Sequence, residues 1–273
     1  MCARREEAVD VKAVYLASDG VFIRYLEVPG EGPPLLWLHG WQCSSSGELL
    51  PAAVQPSLRG RRSALVDFLG HGYSDKPADF AYTLEEHART IVALIDELGI
   101  RDCGLVGHSM GGAVAVLVAT ARPSVVSLVI MAESSIDAER DNPFDGQSEA
   151  QFVDRGMGEL LASQSLEAAG NPTGLRAAHL GMTRLLEPRA TYRESASMSV
   201  GTNPPIRQQL GRLEMPRWYL NGEFSDADGL EADLASIGVG WRIVPATGHP
   251  MGLQNPAGFA QTIADVMAMS WPG

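Results

Sequence analysis

Cysteine is scarce in this chain of 273 residues, which contains only Cys2, Cys43 and Cys103. Their odd number and scattered spacing argue against a disulfide framework and match no pattern of zinc ligands. We therefore expect no metal site and no bound cofactor. Cys103 stands in a short apolar run, where a small side chain is typical of a buried core position.

Long hydrophobic runs and clusters of basic residues are missing as well. No uncharged apolar segment approaches the ~18 residues of a membrane-spanning helix, and residues 1–7 lead into no apolar run of a signal peptide. The net charge of −12 comes from acidic residues spread along the chain, unlike the basic surface that binds nucleic acid. These absences predict a cytoplasmic protein, monomeric or homodimeric, whose partner is a small molecule rather than nucleic acid or a membrane.

Short apolar runs alternate with amphipathic segments along most of the chain. One amphipathic helix is predicted to begin at Thr83, with Glu86 completing a capping box, and to end at Gly99. The predicted strands cover residues 11–17, 21–28, 34–38, 63–67, 102–106, 125–131, 217–220 and 241–245. Alternation of strand and helix is typical of βαβ units, so we expect an α/β fold with a mainly parallel sheet and an antiparallel hairpin at its start.

This alternation breaks over residues 137–212, where apolar residues recur at helical spacing and no strand is predicted. We expect a helical cap there, and a core formed by residues 1–136 and 213–273. Inserted segments beside a sheet often act as lids over a site. Phe152, Met157 and Met182 are candidate pocket-lining residues, although their spacing also suits a cap core.

The sequence Gly-His-Ser-Met-Gly at residues 107–111 lies between a predicted strand and an apolar helix. A serine on a sharp strand-to-helix turn is the arrangement of a nucleophile elbow. Glycines two positions on either side of Ser109 allow the close backbone approach that such a turn requires. Ser109 is therefore the candidate nucleophile.

A serine hydroxyl needs a base to become a nucleophile. His249 follows the last predicted strand on a glycine-flanked turn. Because parallel strands end at one edge of a sheet, His249 and Ser109 are expected to meet there. His108 precedes the nucleophile and is a candidate pocket-lining residue. The other histidines are expected to be packing or surface side chains: His39, His71, His87 and, in the insertion, His179.

The base in turn needs a carboxylate, and two strand ends offer one between Ser109 and His249. Glu133 follows the strand at residues 125–131, and Asp226 follows the strand that ends at residue 220. The oxyanion needs two backbone donors. Met110 N–H, at the start of the elbow helix, and Trp41 N–H, after the strand at residues 34–38, are the candidates, and both residues are also candidates for substrate binding.

Four segments in this order resemble the α/β-hydrolase fold superfamily: His-Gly-Trp at residues 39–41, Asp-Phe-Leu-Gly-His-Gly-Tyr-Ser-Asp at 67–75, Gly-His-Ser-Met-Gly-Gly at 107–112 and Gly-His at 248–249. The resemblance covers nearly the whole chain. It implies an eight-stranded, mostly parallel sheet flanked by helices, with a helical cap inserted after the sixth strand. The insertion at residues 137–212 falls at that place.

The resemblance also bears on the acid. Most relatives carry Gly-x-x-Asp after the seventh strand, but the fourth position here is Ser225, and Asp226 comes one residue later. Some branches, among them certain mycotoxin lactonases and haloalkane dehalogenases, place a Glu after the sixth strand instead. Glu133 is similar to that arrangement. The chain thus resembles a branch with Ser109, His249 and Glu133 as triad, and Asp226 stays as the alternative acid.

A serine at the elbow implies acyl transfer to water, whereas the related dehalogenases and epoxide hydrolases use Asp there. We therefore predict a cofactor-free serine hydrolase that cleaves a carboxylic ester or lactone through an acyl-enzyme on Ser109. A C–C bond hydrolase or a perhydrolase with the same triad is the alternative. A ligand receptor that retains the fold and triad is a third hypothesis, from a different functional class.

Overall fold

The computed structural model describes residues 9–138, 141–170 and 174–271, in which eight strands form one sheet. The strands are β1 (Asp10–Leu16), β2 (Val21–Val28), β3 (Glu31–Leu38), β4 (Arg61–Asp67), β5 (Cys103–His108), β6 (Val126–Ala132), β7 (Arg217–Gly222) and β8 (Gly240–Val244). Their order is β1-β2-β4-β3-β5-β6-β7-β8. The pairs β1–β2 and β2–β4 are antiparallel and all others are parallel. The predicted α/β fold with an eight-stranded, mostly parallel sheet is confirmed.

Helices flank this sheet on both faces. They are α1 (Ser45–Glu48), α2 (Leu50–Ala53), α3 (Leu84–Glu97), α4 (Met110–Ala121), α5 (Glu149–Gln151), α6 (Met157–Gly170), α7 (Leu175–Thr183), α8 (Pro188–Val200), α9 (Ile206–Arg212), α10 (Leu230–Ser236), α11 (Met251–Gln254) and α12 (Pro256–Ser270). A 3-10 turn covers Pro56–Leu58 and a π-helical turn covers Phe152–Gly156. None of the helices in the described ranges has the length and apolar character needed to cross a membrane.

Two hydrophobic cores lie on opposite faces of the sheet. One core contains apolar side chains of α3 and α4, and the other contains those of α2 and α12. Every residue of β5 is buried, which is expected of a parallel strand covered on both faces. Cys103 has no exposed surface and is a core residue, as predicted. Cys2 and the rest of residues 1–7 lie outside the described residues.

Some boundaries differ from the sequence prediction. The strand β3 begins at Glu31, inside the segment predicted as a loop, because Glu31 pairs with Arg61 of β4 ahead of an irregularity in the register. Residues 45–58 form three short helical elements instead of one longer helix. Pro51 and Pro56 each stand at the start of a new short element, since proline fits the first turn of a helix and interrupts its interior.

The start of α3 is close to the prediction. Thr83 Oγ1 accepts a hydrogen bond from Glu86 N–H at 3.2 Å, which caps the helix. The carboxylate of Glu86 accepts a hydrogen bond from Arg89 Nε at 3.0 Å. In a full capping box the Glu86 side chain would also accept a hydrogen bond from the Thr83 N–H. Here it forms an ion pair with Arg89, one turn further along the helix, instead.

The helices α5 to α9 stand between β6 and β7, in the interval that the sequence assigns to a cap. They have a small core of their own. Its buried members are Phe152, Met157 and Leu186, and Phe144 and Tyr192 pack against them. We keep residues 137–212 as a proposed cap and the remainder of the chain as a proposed core.

A buried group of charged side chains joins this insertion to the core. Glu194 of α8 accepts hydrogen bonds on one oxygen from His71 Nε2 at 2.7 Å and from His87 Nε2 at 2.8 Å. All three side chains are fully buried. Burial acts to raise the pKa of Glu194, but the two histidines outweigh it and hold the pKa at about 2. Burial acts to lower the pKa of His71, but the Glu194 carboxylate outweighs burial, so the pKa of His71 is raised.

Glu194→Gln should therefore destabilise the protein in a pH-dependent way. Removing one partner of a buried pair leaves the other uncompensated, at a cost of about 3 kcal/mol. The folded pKa of Glu194 lies below its ordinary 4.5, so its contribution is present above pH 4.5 and is lost as the pH falls towards about 2. The stabilisation contributed by His71 is present below pH 6.5, its ordinary pKa, and is lost as the pH rises through its raised pKa in the folded protein.

The measurement is urea unfolding of wild type and Glu194→Gln from pH 3 to pH 8. The difference in unfolding free energy should be largest between the two ordinary pKa values, 4.5 and 6.5. Glu85→Gln, an exposed carboxylate on α3, is the control and should change stability by less than about 0.5 kcal/mol. A difference that stays constant across this pH range would contradict the assignment.

Candidate active site

Ser109 lies on a strained turn between β5 and α4. Its φ of 52° and ψ of −122° are outside the regions that non-glycine residues ordinarily adopt. The Ser109 N–H donates to Ala132 O at 2.9 Å, which ties the turn to the end of β6. Strain of this kind persists where the surrounding structure holds it, and it is concentrated at functional sites. The predicted strand, turn and helix around Ser109 are all present.

The two glycines of the motif are required by close backbone contacts. A Cβ atom at Gly107 would collide with the backbone of Gly111 and Gly112, and a Cβ atom at Gly111 would collide with the carbonyl of Leu38. The close backbone approach predicted for these glycines is thus present at Gly107, where it involves Gly111 and Gly112. Gly111 additionally packs against the end of β3.

His249 and Glu133 face each other beyond the ends of β8 and β6, the two strands that flank β7 in the sheet. Glu133 directly follows β6, and His249 lies in the turn between β8 and α11. The distance from His249 Nδ1 to Glu133 Oε2 is 3.7 Å, with Glu133 only 11% exposed and His249 56% exposed. The other carboxylate oxygen of Glu133 accepts a hydrogen bond from Gly222 N–H at 2.6 Å, at the end of β7.

These contacts keep Glu133 ionised. Burial acts to raise its pKa, but the proximity of His249, the Ser225 hydroxyl and the Gly222 N–H outweighs burial and lowers the pKa. Ser225 stands where the resemblance predicts an aspartate. Its hydroxyl supports the Glu133 carboxylate instead. A carboxylate held ionised beside an imidazole suits the orientation and charge stabilisation of a general base.

The alternative acid occupies a different environment. Asp226 is exposed, and its Oδ1 accepts a hydrogen bond from Asp228 N–H at 3.1 Å, which closes its own turn. Of the two carboxylates considered from the sequence, the structure brings Glu133 against His249.

The candidate oxyanion donors are placed on either side of Ser109. Met110 is the first residue of α4, so its N–H is one of the amides that a helix leaves unpaired at its start. Trp41 follows β3 and is half-buried, and its indole N–H donates to Thr191 O in α8 at 3.1 Å. The preceding Gly40 N–H donates to Glu48 Oε2 at 2.8 Å. Glu48 is buried beside the site and was missed by the sequence analysis.

Ser109 and His249 line the same cavity, whose volume is about 470 Å³. Trp41 and His108 line it from the core, and Met182 lines it from α7. These three are predicted pocket-lining residues that the structure places in the pocket. The cavity therefore lies between the candidate catalytic residues and the inserted helices.

Other pocket predictions are wrong. Phe152 and Met157 pack inside the insertion, because their face of the helical segment meets Phe144 and Tyr192 rather than the cavity. The side chain of Met110 is buried and lines a separate cavity of about 270 Å³ instead of the main cavity, so the prediction that it binds substrate is wrong.

His179 was expected at the surface, but it lines the main cavity together with Leu175 and Met182. Burial lowers its pKa. The spacing of four and then three residues places these side chains on one face of α7, which is the signal that could have identified them. Cys43 and Glu48 also line the cavity and were not predicted to do so.

Comparison with known proteins gives the family. A family model for the alpha/beta hydrolase fold matches residues 33–219. Haloalkane dehalogenase 2 of Mycobacterium tuberculosis is 34% identical over 110 residues, which cover 40% of this chain and 37% of that protein. The 2-hydroxymuconate semialdehyde hydrolase of Pseudomonas putida is 34% identical over 102 residues, which cover 37% of this chain and 36% of that protein. The matched segments thus span less than two-fifths of these relatives.

Solved structures agree over a longer span. A thermophilic esterase from Thermogutta terrifontis superposes with a TM-score of 0.79 at 20% identity, covering 95% of this chain and 98% of the other. At that identity the likeness establishes the fold alone. The family match over more than half of the sequence shows that this chain belongs to the alpha/beta hydrolase fold family.

Proposed function

We propose that this protein is a cofactor-free serine hydrolase that cleaves a carboxylic ester or lactone through an acyl-enzyme. One observation carries the proposal: the strained Ser109 shares a cavity with His249, and His249 is backed by the buried, ionised Glu133. This is the set of groups that nucleophilic acyl transfer requires. The small-molecule partner is therefore an acyl compound.

The reaction follows from the positions of these groups. Ser109 Oγ attacks the substrate carbonyl while His249 Nε2 takes its proton, and Glu133 orients the imidazole through Nδ1. The N–H groups of Met110 and Trp41 stabilise the oxyanion, each with a contribution of about 3 kcal/mol in the transition state. The imidazolium returns the proton to the leaving alcohol. Water, activated by His249, then attacks the acyl-enzyme and releases the acid.

Dehalogenation is not proposed despite the similarity to a haloalkane dehalogenase. A carboxylate nucleophile that displaces a halide forms an ester, whose carbonyl water can then attack. A serine in the same position would form an ether, which has no carbonyl and would block Ser109. The identity of the nucleophile therefore separates this chain from that reaction.

A second candidate is hydrolysis of a C–C bond, which is favoured by the similarity to a 2-hydroxymuconate semialdehyde hydrolase. Such a reaction would use the same Ser109, His249 and Glu133. The difference lies in the leaving group, which would be a carbon acid instead of an alcohol. Product identity is the observation that separates the two candidates.

The test is a panel of p-nitrophenyl esters from acetate to octanoate, aliphatic γ- and δ-lactones, and a vinylogous 1,5-diketone, with products identified by mass spectrometry. We expect turnover of esters or lactones that is best for small and medium acyl groups, because the cavity of about 470 Å³ lies in the lower part of the range for ligand pockets. Cleavage of the diketone alone would replace this proposal with C–C hydrolysis. Tight binding without turnover would favour a receptor.

A further inference from the structure

Glu48 is a buried carboxylate that the proposed mechanism does not use. It stands at the end of α1 with a side chain that is 4% exposed. Glu48 Oε1 lies 2.9 Å from His108 Nδ1, and Glu48 Oε2 accepts a hydrogen bond from Gly40 N–H at 2.8 Å. Both of its oxygens are thus occupied by residues that adjoin the candidate oxyanion donor Trp41 and the nucleophile Ser109.

His108 extends these contacts to the general base. His108 Nε2 lies 2.7 Å from the backbone carbonyl of His249, and the two imidazole rings are 4.8 Å apart. A carbonyl can only accept, so Nε2 must carry a proton. Nδ1 lies within ion-pair distance of the Glu48 carboxylate, and a proton on Nδ1 would give His108 the positive charge that compensates Glu48.

The charges of this pair compensate each other. Burial acts to raise the pKa of Glu48, but His108 and the Gly40 N–H outweigh burial and hold the pKa at about 2. Burial acts to lower the pKa of His108, but the Glu48 carboxylate outweighs burial, so the pKa of His108 is raised. The lowered pKa of Glu48 favours its carboxylate and the raised pKa of His108 favours its imidazolium, and these charges strengthen the hydrogen bonds that the pair makes to Gly40 N–H and to the His249 carbonyl.

The surrounding contacts leave little room for movement. A Cβ atom at Gly40 would lie 3.0 Å from His108 Nδ1 and 3.3 Å from Ser109 Cβ. A Cβ atom at Gly252, in α11 just after the His249 turn, would collide with the Glu48 carbonyl. The backbone of Glu48 therefore packs against the element that follows His249.

We propose that Glu48 and His108 form a positioning pair that sets the distance between the oxyanion loop, the nucleophile turn and the His249 turn. The inference rests on the proposed function, since those segments are taken as catalytic. Neither residue is assigned a chemical step in the proposed reaction. The pair acts through Gly40 N–H on one side and the His249 carbonyl on the other, and a misplacement of about 1 Å between such segments can lower a rate 100-fold.

The experiment compares Glu48→Ala with Glu48→Gln. Glu48→Ala leaves Gly40 N–H and His108 without a partner, and we expect kcat for p-nitrophenyl acetate to fall about 30-fold with KM changed less than about twofold. Glu48→Gln can accept from Gly40 N–H and donate its amide hydrogen to a neutral His108 Nδ1. It should therefore restore kcat to within about threefold of wild type.

Glu194→Gln is the matched control, because it disturbs a carboxylate–imidazole contact of equal burial whose partners are His71 and His87, and neither His108 nor His249. It should lower Tm and leave kcat within about twofold. If Glu48→Ala lowers Tm but leaves kcat as Glu194→Gln does, or if Glu48→Gln is as impaired as Glu48→Ala, the pair has only a structural role and the inference fails.

A spectroscopic measurement tests the pair independently of turnover and of the yield of Glu48→Ala. In ¹⁵N-histidine-labelled protein at pH 7, both ring nitrogens of His108 should be protonated in wild type, and only Nε2 in Glu48→Gln. The His249 ring resonances should shift in Glu48→Gln and stay unchanged in Glu194→Gln. An unprotonated Nδ1 in the wild type, or unshifted His249 resonances, would overturn the inference even if the proposed function had failed on every substrate.

Discussion

Replacing Ser109 with alanine should lower kcat for p-nitrophenyl acetate by a factor of about 10⁴ to 10⁶. The hydroxyl forms the acyl-enzyme, and no side chain in its place can accept the acyl group. His249 and the oxyanion donors keep their positions, so a residual rate above that in water is expected. Stopped-flow kinetics and intact-mass measurement of the trapped acyl-enzyme provide the readouts.

Ser134→Ala is the matched control for this result. Ser134 is a buried serine near the same turn, with a hydroxyl that donates to the carbonyls of Gly107 at 3.4 Å and Ala132 at 3.3 Å. Its loss removes weak contacts and no reacting group, so turnover should stay within about threefold. If Ser109→Ala retains a tenth or more of the wild-type rate, Ser109 is not the nucleophile.

Replacing Glu133 with alanine should lower kcat by a factor of about 10³ to 10⁴. The change removes the carboxylate that fixes the tautomer of His249 and stabilises the imidazolium formed during acyl transfer. Asp226→Ala should stay within about twofold, because its exposed carboxylate closes its own turn. The comparison uses kcat for one ester, with Tm measured on each variant.

Glu133→Gln separates charge from packing. Glutamine can still accept from Gly222 N–H through its amide oxygen, so stability should change little, but its amide group cannot stabilise an imidazolium. We expect it to be nearly as slow as Glu133→Ala. Loss of activity in Asp226→Ala together with an active Glu133→Ala would reverse the assignment of the acid.

Much of the fold could be predicted because local patterns reported it directly. Buried parallel strands appear as short apolar runs, so both ends of β5 and β6 were predicted to within two residues. The elbow was predictable for a different reason. Gly107 is required by a backbone contact with Gly111, only a few residues away, and a linear motif records such a local requirement.

The wrong predictions of cavity-lining residues share a physical cause. Whether a side chain lines the cavity depends on which face of its helix meets a distant part of the chain. Phe152 and His179 both lie on helical segments of the insertion, and helical spacing alone could not tell which of them faces the cavity. The structure places His179 in the cavity and Phe152 in the core of the insertion. Glu48 was passed over because a single acidic residue in a short helix carries no signal of burial.

The sequence by itself determined the fold class, the candidate nucleophile and base, and the order of these groups along the chain, because each depends on backbone conformation or apolar pattern over a few residues. The tertiary structure alone decided that Glu133 rather than Asp226 faces His249, and that Glu48 pairs with His108. It also decided that His108 reaches the carbonyl of His249, a residue 141 positions away in the sequence. Contacts of this kind are set by how strand ends pack at the edge of the sheet, and no local pattern contains that distance.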